Sequence, residues 1–333
     1  MSNSKNPADR IQWIDIAKGI VMLLVIFAHC LGTGVAGQVV RGAIFSFHMP
    51  IFFCLSAVTF HFSENIAEWK SKSKKAFQHL ILPALITFLL VFLAQLIMGR
   101  TEDRFLIKKL LSLLFASGIW NYIGSLRIPE IGVIWFLFAL FTGRTVYDFV
   151  HLRTTGAARA VLLIALTLSG IIIGQYLQLP FSFDVALAVF PFFFLGEHFS
   201  ALKLEERKCA KILACVALWC ITLILSFYVD HMYFELACRR YTLFPLCYFG
   251  AAAGIILVYY FSFFLSGLSF PLKNQLLFIG RNSLTLLCVH AMDFVWDFAW
   301  NLQLNEFICA LLRIITDICV FYLIMYIKKR SKA

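Results

Sequence analysis

The 333-residue chain is 61% hydrophobic and only 14% charged, with 36 phenylalanines; soluble domains run near 45–50% apolar and about 25% charged. A soluble globule cannot hide that much apolar surface, so the composition excludes a cytosolic enzyme and predicts an all-α, polytopic membrane protein. The net charge of +11 calls for no nucleic-acid partner, because basic residues gathered in loops are what membrane topology requires.

A polar tail over residues 1–10 leads into the first predicted span, 11–31, and is not expected to be a cleavable signal. The apolar run of that span is broken by Asp15, Lys18 and His29. At about 100° per residue these three fall within an arc of roughly 60°, and Lys18 and His29 stand about 16 Å apart along the axis. Charged groups deep in a bilayer cost roughly 2.5–3.5 kcal/mol on insertion scales, so the stripe is expected to face protein or a wet cavity rather than lipid. Snorkelling of Asp15 and Lys18 to the interface, with His29 a packing residue, is the plainer alternative.

Nine further spans are predicted at 43–62, 79–98, 131–150, 157–177, 181–200, 209–229, 242–266, 283–300 and 306–327, close to the roughly 20 residues needed to cross a hydrocarbon core. The second opens with FSFHMPIFFCLSA, placing His48 and Pro50 in its first turns, where proline is tolerated. Before the third lie Lys70, Lys72, Lys74 and Lys75, an anchor for anionic head groups or a contact for a phosphorylated ligand. The stretch 105–126 is apolar but carries Gly118, Asn121 and Gly124; it reads as interfacial or re-entrant, with an eleventh span as the alternative. Glu197 and His198 close span six in a solvated, structural role. Span nine carries His290, Asp293 and Asp297 on one face, and span ten carries Arg313 and Asp317. Asp293 and Arg313 fall at similar depth and are expected to form a structural ion pair.

With the N-terminus in the cytoplasm, 20 of the 29 lysines and arginines fall on the inner side, which predicts both termini cytoplasmic. Residues 328–333 then form a basic inner tail, and 1–333 is a single membrane domain. The ten cysteines include no CxxC pair and read as buried hydrophobes, and no metal site is expected.

The stretch WIDIAKGIVMLLVIFAHC, with a basic residue, ten intervening residues and a histidine (Lys18 and His29), together with FSFHMPIFFCLSA, resembles the acyltransferase 3 family of integral membrane O-acyltransferases. Weaker echoes are IWFLFALF, FPFFFLGEHF and IGRNSLTLLCVH, and the similar branch is the fucose 4-O-acetyltransferase type. Two departures stand out: Ala57 replaces the family's glycine, and lysines, Gln78 and His79 occupy positions where arginines are common.

The resemblance implies ten helices in a plasma (inner) membrane, with no permanently bound cofactor. The implied reaction moves an acetyl group from acetyl-CoA to a hydroxyl of a carbohydrate acceptor. It also implies roles: His29 as general base or transient acyl carrier, and His48 orienting His29 or donating to the acceptor or oxyanion. Lys18 and Lys75 would meet the donor's charge, with Asp15 holding Lys18. The chemistry suits these residue types, because a sugar hydroxyl needs a base near neutrality and the donor's phosphates need cations. A transporter or channel using the intramembrane Asp, Lys and His is the competing class, although no inverted repeat is visible.

Overall fold

Hydropathy alone builds most of what is seen in the computed structural model, which describes residues 11–31, 34–230, 232–293, 295 and 304–331. Eight helices among the described residues are long and apolar enough to cross a membrane. Helix α1 spans Gln12–Cys30 and α2 Val35–Val58. A continuous helix runs Ile66–Ile97, built from α3 (Ile66–Ala76), a π-helical turn at Phe77–Ile81 and α4 (Leu82–Ile97). Then come a short α5 (Phe105–Phe115), a hairpin of β1 (Asn121–Ile123) and β2 (Leu126–Ile128), α6 (Trp135–Arg153) and α7 (Gly156–Tyr176). The sixth predicted span is a bent pair, Pro180–Ala188 with Phe190–Glu197, at 55° to each other; its helical parts are α8 (Phe183–Ala188) and α9. Helices α10 (Lys208–Leu225), α11 (Leu246–Gly267), α12 (Lys273–Arg281), α13 (Ser283–Asp293) and α14 (Glu306–Arg330) complete the order.

Several sequence expectations are corrected. The second span starts eight residues earlier than predicted, so His48 and Pro50 lie inside α2 rather than in its first turns. Val35, Val39 and Val40 extend the apolar run, and Pro50 simply leaves the Ser46 carbonyl without its usual helical donor. Stretch 105–126 is no eleventh span: α5 is amphipathic, with Leu106, Ile107, Leu110 and Leu114 exposed, and a hairpin follows it. Asn65 caps α3 by accepting from the Glu68 N–H at 2.9 Å, and the lysine cluster lies on that helix. The ninth predicted span is described only as the eleven residues of α13, and Asp297 lies outside the described residues.

Helix α12, which the hydropathy pattern does not reveal, packs along α1 so closely that glycine is required on both partners. A Cβ at Gly280 would meet the Asp15 carbonyl oxygen, and one at Gly19 would meet the Leu276 carbonyl oxygen. Arg281 extends this seam by placing Nε 3.0 Å from Asp15 Oδ2. Glu197, read as solvated, is instead a half-buried hub. Tyr147 donates to its Oε2 at 2.6 Å and His151 Nε2 lies 2.9 Å from its Oε1, tying α6 to α9. On the His29 side, Arg239 is buried against Asp184, with Nε 2.7 Å from Oδ2, and its Nη1 donates to Ser117 at 2.9 Å. That pair fastens the segment before α11 onto α8.

Candidate active site

The polar stripe of α1 faces the protein interior and its cavities, with Lys18 and His29 half-buried. Asp15 is 3% exposed, because α12 covers it, and His29 sits at the other end among aromatic side chains. The ring centroid of His29 is 5.1 Å from Phe45, 6.4 Å from His48 and 5.7 Å from His290. Helices α1, α2 and α13 therefore bring three histidines together, and Phe45 stacks on His48 with centroids 4.4 Å apart.

The last turn of α1 is held by a residue whose role the sequence did not reveal. Arg41 Nε donates to the Ala28 carbonyl at 3.0 Å, and its Nη2 donates to the Leu31 carbonyl. These carbonyls lack helical partners at a C-terminus, where a cation also meets the helix dipole favourably. Hydrogen bonds to charged groups contribute about 1.5–3 kcal/mol. Arg41→Ala is expected to lose about that much stability and to loosen His29, with Arg41→Lys recovering part; thermal melts of the purified protein check it.

Three cavities follow one another along α1. At the Lys18 end a cavity of about 220 Å³ is lined by Lys18, Ser56, Thr59, His79, Arg144 and Ser283, among others. A narrow space of about 20 Å³, sharing Val25, Met49 and Leu287 with the first, is lined by His29, Phe45 and His48. Beyond it a wider cavity of about 370 Å³ is lined by His29, Gln95, Lys109, Glu130, Trp135 and Glu235. The second and third share His29, Val133, Trp135, Glu235 and Ala237. His29 thus stands where the inner space meets the wide one.

The wide cavity is walled by segments that hydropathy does not assign to any site. Lys109 comes from amphipathic α5, Glu130 and Trp135 from the region between the hairpin and α6, and Glu235 from the segment preceding α11. Burial pushes the Glu235 carboxyl up from the ordinary carboxylate range, and burial also lowers the Lys109 ammonium, opposed by Glu102 and Glu130. Carboxylate, amide, ammonium and indole together make a wall suited to a polyhydroxylated ligand, which needs both donors and acceptors and a flat apolar surface.

Lys75 is exposed on α3 and does not border the Lys18 cavity, whereas His79, one turn further on, does. Asp15 and Lys18 share α1, and the Asp15 carboxylate also meets Arg281. Arg313 Nε stands 3.8 Å from Asp293 Oδ2. Asp317, one turn from Arg313 on α14, lies instead 2.8 Å from His290 Nδ1. His290, Asp293 and Asp317 bring three possible metal-ligand atoms within 4.8 Å of one another, and the Arg313 guanidinium already supplies positive charge there.

Among curated proteins no match to the chain is found. The family model described as an acyltransferase domain (acyltransferase 3) matches residues 11–327. A largely helical, multi-pass membrane architecture with three histidines at a cavity junction accords with that match, and the chain belongs to the acyltransferase 3 family.

Proposed function

We propose that the protein is a membrane O-acetyltransferase that moves an acetyl group from acetyl-CoA to a hydroxyl of a surface carbohydrate or lipid-linked sugar. The observation that carries this reading is the placement of His29 where the narrow space adjoining the Lys18 cavity meets the wide cavity. The Lys18 cavity offers a lysine, an arginine and a histidine, groups that meet the donor's phosphates. The wide cavity offers the mixed polar and aromatic wall that a sugar needs. A thioester reaching through the narrow space from one side meets a hydroxyl arriving from the other, and His29 borders both.

In this reading both termini lie in the cytoplasm of a plasma (inner) membrane, as the basic-residue bias suggests, and the donor enters from there. His29 takes the proton of the attacking hydroxyl as oxygen bonds to the acyl carbon; the carbon–sulfur bond then breaks and the thiolate leaves. His48, held by stacking on Phe45, orients this centre from the α2 side. The Lys75 contribution to the donor is taken by His79 and Arg144 together with Lys18, because these line the cavity.

Lys18 stands about 16 Å along the helix from His29, so its contact with the donor persists from ground state to transition state. Losing such uniform binding raises KM with little change in kcat. Lys18→Met is therefore expected to weaken acetyl-CoA binding about tenfold or more while kcat stays within about threefold. Titration of purified variant with acetyl-CoA decides: unchanged affinity would remove Lys18 from the donor site. Mass spectrometry of surface glycans from cells with and without the protein identifies the acceptor.

A further inference from the structure

His290 and Asp317 form a buried pair that the mechanism above does not use. His290 is 0% and Asp317 1% exposed, on two helices, α13 and α14, that pack on each other and on α1. Their contact, 2.8 Å between Nδ1 and Oδ2, has a definite chemical meaning. A carboxylate only accepts, so Nδ1 carries the proton. A histidine fixed in this way has one ring orientation and one tautomer, and positive charge that reaches its ring is stabilised by the carboxylate behind it. The ring so fixed has its centroid 5.7 Å from that of His29.

A divalent cation is the rival explanation for the cluster. It is disfavoured by charge already in place: Arg313 faces Asp293 at 3.8 Å, and the His290 N–H faces Asp317. Each carboxylate therefore has a cationic or N–H partner within the protein, as a buried carboxylate requires. A metal would have to displace the guanidinium and the Nδ1 proton.

We infer that Asp317 and His290 act as positioning residues for His29, the carboxylate holding the His290 ring and that ring packing against His29 to set its orientation. The inference rests on the acyl-transfer reading for its kinetic consequence. In that step the proton leaves the acceptor hydroxyl for His29 as the carbon–oxygen bond forms. When the thioester carbon–sulfur bond breaks, the same proton passes to the departing thiolate. His290 and Asp317 end the cycle unchanged; their effect is on how readily His29 offers its lone pair.

That property can be read without acyl transfer. The same lone pair attacks diethyl pyrocarbonate, and mass spectrometry follows the ethoxycarbonyl group gained by His29 in purified protein, with His79 and His151 as internal references. Asp317→Asn is expected to slow His29 modification about fivefold or more and to lower kcat about tenfold or more, while donor KM stays within about twofold. Asp317→Glu should restore most of both. If Asp317→Asn does not fold, His290→Gln, which keeps a donor for Asp317 but removes the imidazole, should give the same two losses. Modification and kcat within about twofold of wild type in a folded variant would overturn the inference. So would losses that merely follow the melting temperature without rescue by glutamate, or a tightly bound divalent ion whose removal abolishes and return restores activity. Should the wild-type protein transfer nothing from acetyl-CoA, the enzyme reading falls, and the His29 modification rate alone decides the role of the pair.

Discussion

Replacing His29 by alanine is expected to lower acyl transfer by about 10²–10⁴-fold, the contribution that a positioned acid–base group makes. The substitution removes an imidazole that borders both the narrow and the wide cavity and leaves the caps of α1 untouched. The Arg41 contacts go to the Ala28 and Leu31 carbonyls, and the α12 seam lies at the opposite end near Asp15 and Gly19. Insertion and melting temperature should therefore change little. Acetyl transfer and acetyl-CoA hydrolysis by purified His29→Ala protein, compared with wild type at equal folded concentration, supply the test. Near wild-type turnover by folded variant would exclude His29 as the base.

The largest loss of stability is expected at Arg239, far from any motif. Its guanidinium makes a buried pair with Asp184 and also donates to Ser117 and to the Ala237 carbonyl. The Gln175 amide donates back to the Arg239 carbonyl at 2.8 Å. Truncating one member of such a pair leaves an uncompensated buried charge, at a cost of about 3–5 kcal/mol. Arg239→Ala should show that loss in thermal or denaturant melts. The double variant Asp184→Leu with Arg239→Met should recover much of it, because paired apolar replacements avoid the stranded carboxylate. Activity should fall with Arg239→Ala as well, since Glu235 and Ala237 on the same segment line the wide cavity. A melting temperature unchanged by Arg239→Ala would show that Asp184 finds another donor.

What could be read from the sequence and what could not divide along a physical line. Hydropathy located the long helices because a run such as Leu82–Ile97 carries its signal within itself. The α1 stripe was equally legible, since three polar residues on one helix fix their own relative azimuth. Depth could also be compared, and Arg313 and Asp293 do face each other at 3.8 Å. The rotation of one helix against another leaves no such trace. Asp317 meets His290 rather than serving Arg313 alone, and Asp15 reaches Arg281 across 266 residues. The wide cavity was hidden for the same reason, being assembled from α4, α5, the hairpin region and the segment before α11. Helix α12 escaped notice because its nine residues include only a few apolar ones, too few to register as a span.

The seam of Gly19 and Gly280 sets how α1 can move. Backbone packed on backbone leaves no room for a side chain to adjust between the two helices. The Lys18 end is thus clamped, while the His29 end is tethered by the long side chain of Arg41.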